Sequence, residues 1–239
     1  MVQHTNGRYP AHEIPDIVIR RLPIYVRTLR ALVAAGYETV SSDDLAAQIG
    51  VTAAQIRRDL SYFGKFGKQG KGYEVATLVS EILHILNLDR QWDVALCGYG
   101  HLGQAIAAYR GFEPSSFRIA AVFDREPEHI GVMTAAGVPV RPDIEITSVV
   151  RAMGIRMGIV AVPERAAQDV ADALVAGGVT AILNYAPVIV RVPEGVWMRE
   201  IDPISAMQSM TYYLDSHTEP APRVDPCPAP IRPMHAAGD

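Results

Sequence analysis

The chain has 239 residues, of which 49% are hydrophobic, and a formal net charge of -4. That length holds one large domain or two of medium size with ample core, and the lack of any run of eighteen apolar residues argues against a spanning helix. Of the two cysteines, Cys97 ends an apolar run and Cys227 lies in a proline-rich stretch; a structural disulfide is not expected, and a reducing, cytoplasmic compartment is the reading.

The start, "MVQHTNGRYPAHEIPD", lacks the apolar core of a secretory signal. Residues 1–15, with Pro10 and Pro15, read as a flexible arm. From Asp16, apolar residues at Val18, Leu22, Tyr25, Val26, Leu29 and Val33 have helical spacing, with Gly36 as a stop and Pro23 as an expected kink. "SSDDLAAQIG" is a second short helix, capped by Ser41 or Ser42 and ended by Gly50. "VTAAQIRRDLSYFG" is a third, with Thr52 as cap, Gln55 three residues on as a capping box, and an end near Gly64. A glycine-rich loop then leads to the strand-like "GYEVA". Three helices and a β-hairpin over residues 16–76 make a winged helix-turn-helix pattern. A linking amphipathic helix is expected within 77–90.

The next stretch, 91–201, alternates. Strands are expected at "WDVALC", "RIAAVFD", "GIVAV", "VTAILNYAP" and "VWMREID", with helices from His101 to Tyr109 and over "ERAAQDVADALVAGG". This rhythm means a parallel sheet covered on both faces, an α/β architecture. "DPISAMQSMTYYLD" (202–215) is a last helix with Asp202 as cap and Pro203 in its first turn. Residues 216–239, with six prolines, are expected to be disordered.

Charge is distributed unevenly. Residues 1–75 carry ten Lys/Arg against seven Asp/Glu, and residues 76–239 twelve against nineteen, which suggests two parts with different partners. Every lysine (Lys65, Lys68, Lys71) lies in the loop after the third helix. A cation cluster so confined points to a polyanion.

Gly98-Tyr99-Gly100-His101-Leu102-Gly103 is a G-x-G-x-x-G between an apolar strand and a helix, the context that gives this motif its meaning. Gly98 permits the tight turn, Gly100 lets a pyrophosphate approach the backbone, and Gly103 lets helix and strand pack closely. The helix N-terminus offers N–H donors to phosphate. His101 is read as a tolerant position between the glycines. Asp124 ends the second strand, where a carboxylate accepts from ribose hydroxyls and repels a 2′-phosphate. That favours NAD over NADP, with Arg125 beside it as the complication. Val162, Pro163, Asn184, Tyr185, Ala186 and Pro187 fall at later strand ends, where a ligand of a doubly wound Rossmann sheet sits.

No catalytic set accompanies the cradle. The chain has no lysine beyond Lys71, so no Tyr-x-x-x-Lys pair exists, and His129, in the loop after Asp124, reads as a solvated residue. No metal-ligand spacing or nucleophile motif occurs, so catalytic and metal residues are expected to be none. An oxidoreductase with an appended helical domain remains the alternative.

The third helix is the candidate DNA reader. Thr52, Ala54, Gln55 and Arg58 lie toward its start, where base edges are met. Gln55 suits adenine, and Arg57 or Arg58 suits guanine or phosphate. Ser41, Ser42, Ser61 and Tyr62 complete the helical set, and the loop lysines with Gln69 form the wing, facing phosphates. Helix-turn-helix shapes also serve as protein-interaction modules, so that reading stays open here.

Taken together, "VSSDDLAAQIGVTAAQIRRDLSYFGKFG", "GKGY", "GYGHLG", "FDREPEHIG", "ILNYAPV" and "VPEGV" occur in an order that resembles the Rex family of redox-sensing transcriptional repressors, over about residues 14–215. The resemblance implies a homodimer on a palindromic double-stranded operator, with NADH or NAD+ as regulatory ligand and no membrane partner. It implies that NADH draws the cofactor domains together and releases the DNA, and that the final helix swaps across the dimer beside the partner's nicotinamide site. It also implies a polar switch, with Arg27, Tyr109 and Asp202 at the matching positions. Two departures stand out: Gln69-Gly70 where the family wing usually has arginine-glycine, and His129 where a lysine is common.

Overall fold

The computed structural model describes residues 14–67 and 72–215. Residues 1–13 of the expected arm, the tail and the wing tip with Lys68, Gln69 and Lys71 lie outside the described residues. The chain divides into two compact units, the first reaching Asn87 and the second running from Leu88 to His217.

The first unit runs α1 (Asp16–Ala34), β1 (Thr39–Val40), α2 (Ser42–Ile49), α3 (Ala53–Ser61), β2 (Tyr73–Glu74) and α4 (Val75–Ile85). The apolar stripe of α1 is buried at Val18, Leu22, Tyr25, Val26, Leu29 and Leu32. The helix continues through Pro23, which sits on its exposed side. Ser41 caps α2 by accepting from the Asp44 N–H at 3.0 Å, and Gly50 ends it in the left-handed region. Thr52 caps α3 by accepting from the Gln55 N–H at 3.1 Å.

Among the described residues, the wing strand β2 pairs antiparallel with β1, the short strand before α2 (Thr39 with Glu74, Val40 with Tyr73). Burial of Val40 and Tyr73 in one core drives that pairing. Gly72 makes it possible, because at φ +74° a side chain there would run into the Val40 carbonyl. The helix expected within 77–90 is α4, which begins at Val75 and contributes Val75, Leu78 and Ile82 to the same core.

The second unit contains β3 (Trp92–Cys97), α5 (His101–Ala108), β4 (Phe117–Asp124), β5 (Val140–Pro142), α6 (Ile146–Met153), β6 (Met157–Val160), α7 (Glu164–Gly177), β7 (Ala181–Asn184), β8 (Trp197–Glu200) and α8 (Pro203–Asp215). The six strands lie in the order β5-β4-β3-β6-β7-β8, and every neighbouring pair is parallel. Alternation along β3 sends Ala95 and Cys97 to one face, with residues of α6 and α7, and Val94 and Leu96 to the other, with Ile106 of α5. The sheet is thus doubly wound, as the sequence rhythm implies. β5 and α6 escape the sequence reading: the strand is three residues with a proline, and the helix is only eight residues long.

The last helix is different. Ile204, Met207, Met210, Tyr212, Tyr213 and Leu214 of α8 are all exposed. Among the described residues, no helix is long and apolar enough to cross a membrane.

Helix α7 presses on the sheet where β6 has no side chain: a Cβ on Gly158 would lie 2.8 Å from Leu174 Cδ1, and Leu174 is fully buried. Leu174→Ala is expected to cost about 2–5 kcal/mol. Gly158→Ala alone should cost about 1–3 kcal/mol through overpacking, and less in the Leu174→Ala background, where the space is vacated. Urea denaturation of the four chains measures this; strict additivity would contradict the packing.

Candidate functional site

The connections that leave β3 and β6 at their C-terminal ends enclose a cleft. It is lined by Gly98, Gly100, Asp124, Arg125, Val162 and Pro163, all named from the sequence. Arg165 and Ala166 line it as well, within "VPERAAQ" (162–168), whose polar groups the sequence places at a strand end. Cys97, Glu126, His129 and Asp143 also line it and were not assigned to it. The enclosed volume is about 200 Å³, below the roughly 300–1,000 Å³ of ordinary small-molecule pockets, so it accommodates one part of an extended ligand.

Glycine is required at two points of the cradle. Gly98 has φ +100°, and a Cβ there would overlap the Ala161 carbonyl across the cleft. A Cβ on Gly103 would overlap the Gly98 carbonyl. Gly100 differs: nothing lies within 4 Å of a Cβ placed on it. It is also the N-cap of α5, and no side chain caps that helix. Open space above a glycine, next to an uncapped helix N-terminus, fits a pyrophosphate. His101 and Leu102 are exposed in the first turn of α5.

Asp124 is 8% exposed. Its carboxylate accepts from the Tyr99 N–H of the glycine loop and from the Glu126 N–H at 2.7 Å. Burial pushes its pKa up, but these N–H donors and the neighbouring His129 outweigh burial and hold it below the usual carboxylate value. The group is therefore anionic at neutral pH and still has lone pairs for a ribose hydroxyl. Arg125 donates to Asp143 at 2.9 Å, so its charge is partly answered from within the chain. His129 is not a solvated loop residue: its side chain is 22% exposed, with Nδ1 3.3 Å from Asp124 Oδ1 and the ring edge-on to Tyr99.

The other strand-end residues behave differently. Asn184 is 1% exposed, and its amide is consumed by its own loop, donating to the Ala186 and Val188 carbonyls and accepting from the Ala186 N–H at 2.9 Å. It shapes the loop that presents Tyr185, Ala186 and Pro187, which do not line the cleft described above.

In the first unit, Thr52, Ala54, Arg57, Arg58, Ser61, Tyr62 and Lys65 are exposed. Arg57 donates to Ser42 Oγ at 2.6 Å, tying α3 to α2, and Ser61 donates to the Arg58 carbonyl. Ser41 is committed to capping α2 and to Asp44. Gln55 forms half of the expected capping box only: its side chain turns to Asp59, donating at 2.7 Å. Asp59 is wholly buried on α3 and also accepts from Arg21 Nε and Nη2 and from the Tyr25 hydroxyl, all within 2.7 Å. Nothing in the sequence pattern singled out Asp59, because a lone acid on a helix ordinarily faces water.

Of the three switch positions, Arg27 lies on the exposed side of α1 in the first unit. Tyr109 ends α5 in the second unit, 65% exposed and edge-on to Phe112. Asp202 accepts from the Ile204 N–H at 2.9 Å at the start of α8, as a cap should.

Comparison with known proteins finds matches over both units. Residues 13–61 match the family described as "Putative DNA-binding protein N-terminus", and residues 89–188 match "CoA binding domain". A protein named "Redox-sensing transcriptional repressor Rex" from Roseiflexus sp. (strain RS-1) is 55% identical over 202 residues, which is 84% of this chain and 91% of that one. Among solved structures, "Crystal structure of RSP in complex with beta-NAD+ and operator DNA" aligns at a TM-score of 0.81 and 37% identity, covering 84% of this chain and 93% of the other. "Crystal structure of RSP in complex with beta-NADH" aligns at 0.77 and 35%, covering 85% and 95%.

The Asp124 geometry makes a prediction. Asp124→Asn should lower stability by about 1–3 kcal/mol at neutral pH, because an amide cannot accept from both N–H groups in the same way. A carboxyl whose folded pKa is depressed contributes stability above its unfolded pKa and loses it as pH falls through the folded value. The gap between parent and variant should therefore close toward acid pH in denaturant titrations. A gap that stays constant from neutral pH down to pH ~3 would contradict the assignment.

Proposed function

This chain belongs to the Rex family of redox-sensing transcriptional repressors, and on that premise we propose that its hold on operator DNA reports the balance of NADH and NAD+. The observation that carries this reading is the joining, in one chain, of a pyrophosphate-shaped glycine cradle and a capped recognition helix. The chain works as a regulator and not as an enzyme, although it shares the dinucleotide fold of dehydrogenases.

The residues present fit the dinucleotide. The uncapped turn at Gly100–Gly103 receives the pyrophosphate, and the anionic Asp124 receives the adenosine ribose and disfavours a 2′-phosphate. The ligand supplies a nicotinamide ring that is charged in NAD+ and neutral in NADH. The chain then needs a surface that tells these apart. The exposed apolar side chains of α8 suit coverage by a second copy, and an apolar cover over the ring penalises the charged form. We therefore read the protein as a homodimer with α8 swapped, on a palindromic operator, and Arg27, Tyr109 and Asp202 as the polar switch between states. A soluble regulator of this kind acts in the cytoplasm.

The DNA side follows from α3. Arg57, Arg58, Ser42 and the wing meet phosphates and bases, with Ala54 and Thr52 at the groove edge. A ligand changes DNA occupancy only through its different affinities for the two states.

The test is a pair of titrations, NADH and NAD+ separately, into the protein bound to duplexes it has itself selected from a random-sequence pool, followed by fluorescence anisotropy at fixed salt. NADH is expected to weaken binding by roughly 5–150-fold, and NAD+ to leave it largely intact. Gly103→Ala should still bind DNA but ignore NADH, since its methyl overlaps the Gly98 carbonyl. Undiminished binding of the parent at saturating NADH would overturn the reading.

A further inference from the structure

The buried acid on the recognition helix serves no purpose in the reading so far. Asp59 is 0% exposed and receives four donor atoms: two from Arg21, one from Tyr25 and one from Gln55. Arg21 and Tyr25 belong to α1 and hold the carboxylate in place. Burial pushes the Asp59 pKa up, yet the hydrogen bonds from Arg21, Tyr25 and Gln55 outweigh it and hold the group ionised.

An ionised carboxylate only accepts hydrogen bonds. Gln55 must therefore turn its NH2 group toward Asp59, which settles the orientation that an amide otherwise leaves open. One N–H is spent on Asp59. The other N–H and the carbonyl Oε1 are left for a further partner. A side-by-side donor and acceptor is the pair that reads adenine N7 and N6 in the major groove. Gln55 is also the third residue of α3, at the end of a recognition helix that meets base edges. The incomplete capping box has the same cause, because the side chain that would have closed it is held elsewhere.

We propose that Asp59 is a positioning residue for sequence readout: braced by Arg21, which shares its Oδ1, it fixes the amide of Gln55 so that the free edge selects an A·T base pair in each half-site. The side chain is ordered before DNA arrives, so less rotamer entropy is lost on binding. This rests on the DNA-binding reading above and assigns one base-pair preference within it.

The experiment is a selection from a random-sequence duplex pool with the full chain as parent, Gln55→Ala, Asp59→Asn and Tyr25→Phe, each checked for folding of the first unit by two-dimensional NMR of its amides. The parent is expected to require A·T at one position per half-site. Gln55→Ala and Asp59→Asn should both flatten that position by roughly 5–150-fold, the equivalent of about 1–3 kcal/mol for a bidentate base contact at 1.4 kcal/mol per tenfold. Other positions and the salt dependence should stay as in the parent. Tyr25→Phe should keep the preference, since the Tyr25 hydroxyl bonds Oδ2 and Gln55 bonds Oδ1. Gln55→Ala with an unchanged base profile overturns the proposal, as does Asp59→Asn that keeps the preference which Gln55→Ala loses. If Asp59→Asn does not fold, the side-chain amide of Gln55 in the free parent decides by NMR: a rigid, slowly exchanging NH2 is expected, and a mobile one overturns the proposal. A parent that selects no sequence at all would instead remove the DNA-binding reading itself.

Discussion

The nucleotide cleft depends on a contact between two backbones. Strands β3 and β6 are neighbours at the centre of the sheet, and the chain leaves them toward opposite faces. At that point the Gly98 turn and the Ala161 carbonyl come so close that any side chain on Gly98 would collide. A second close approach, Gly103 on the Gly98 carbonyl, brings α5 down on the same turn. These contacts put the helix N-terminus at the mouth of the crevice where doubly wound sheets bind their ligands. Buried Asp124 then locks the turn by accepting from the Tyr99 N–H.

A similar device appears in the first unit. There too a buried carboxylate, Asp59, is satisfied by donors from separate segments, and it ties α1 to α3. Breaking such a group's partnerships costs far more than forming a surface pair gains, so both acids specify one geometry over competing ones. In each case the acid is buried and fixes the segments that donate to it.

Much of this was legible in the sequence, for identifiable reasons. Periodicity revealed α1, α3 and α7, because one face of each is buried and the other is wet. The glycine motif was legible because its strand and helix context is local. Pairing of β2 with β1 was not, since it joins residues more than thirty apart through two-residue strands with no alternation to read. The roles of Asp59 and Asn184 were also hidden. A polar residue's type says nothing of burial, and in the fold both are enclosed and satisfied by partners distant in sequence or within a tight loop. His129 reads as a loop residue and becomes a packed neighbour of Asp124 only once the β4–β5 connection folds over the cleft. The exposed apolar face of α8 is the reverse case: the spacing gives the helix, and only the structure shows that its own unit leaves that face uncovered.

The central claim is a coupling between the cradle and the recognition helix, and coupling free energy is reciprocal. If NADH loosens the grip on DNA, then DNA must weaken the grip on NADH by the same factor. The direct measurement is calorimetric: the NADH dissociation constant of the full chain, with and without saturating operator duplex. The account predicts weaker NADH binding in the presence of DNA, by the factor with which NADH weakens DNA binding. An NADH affinity that is unchanged by operator would contradict it.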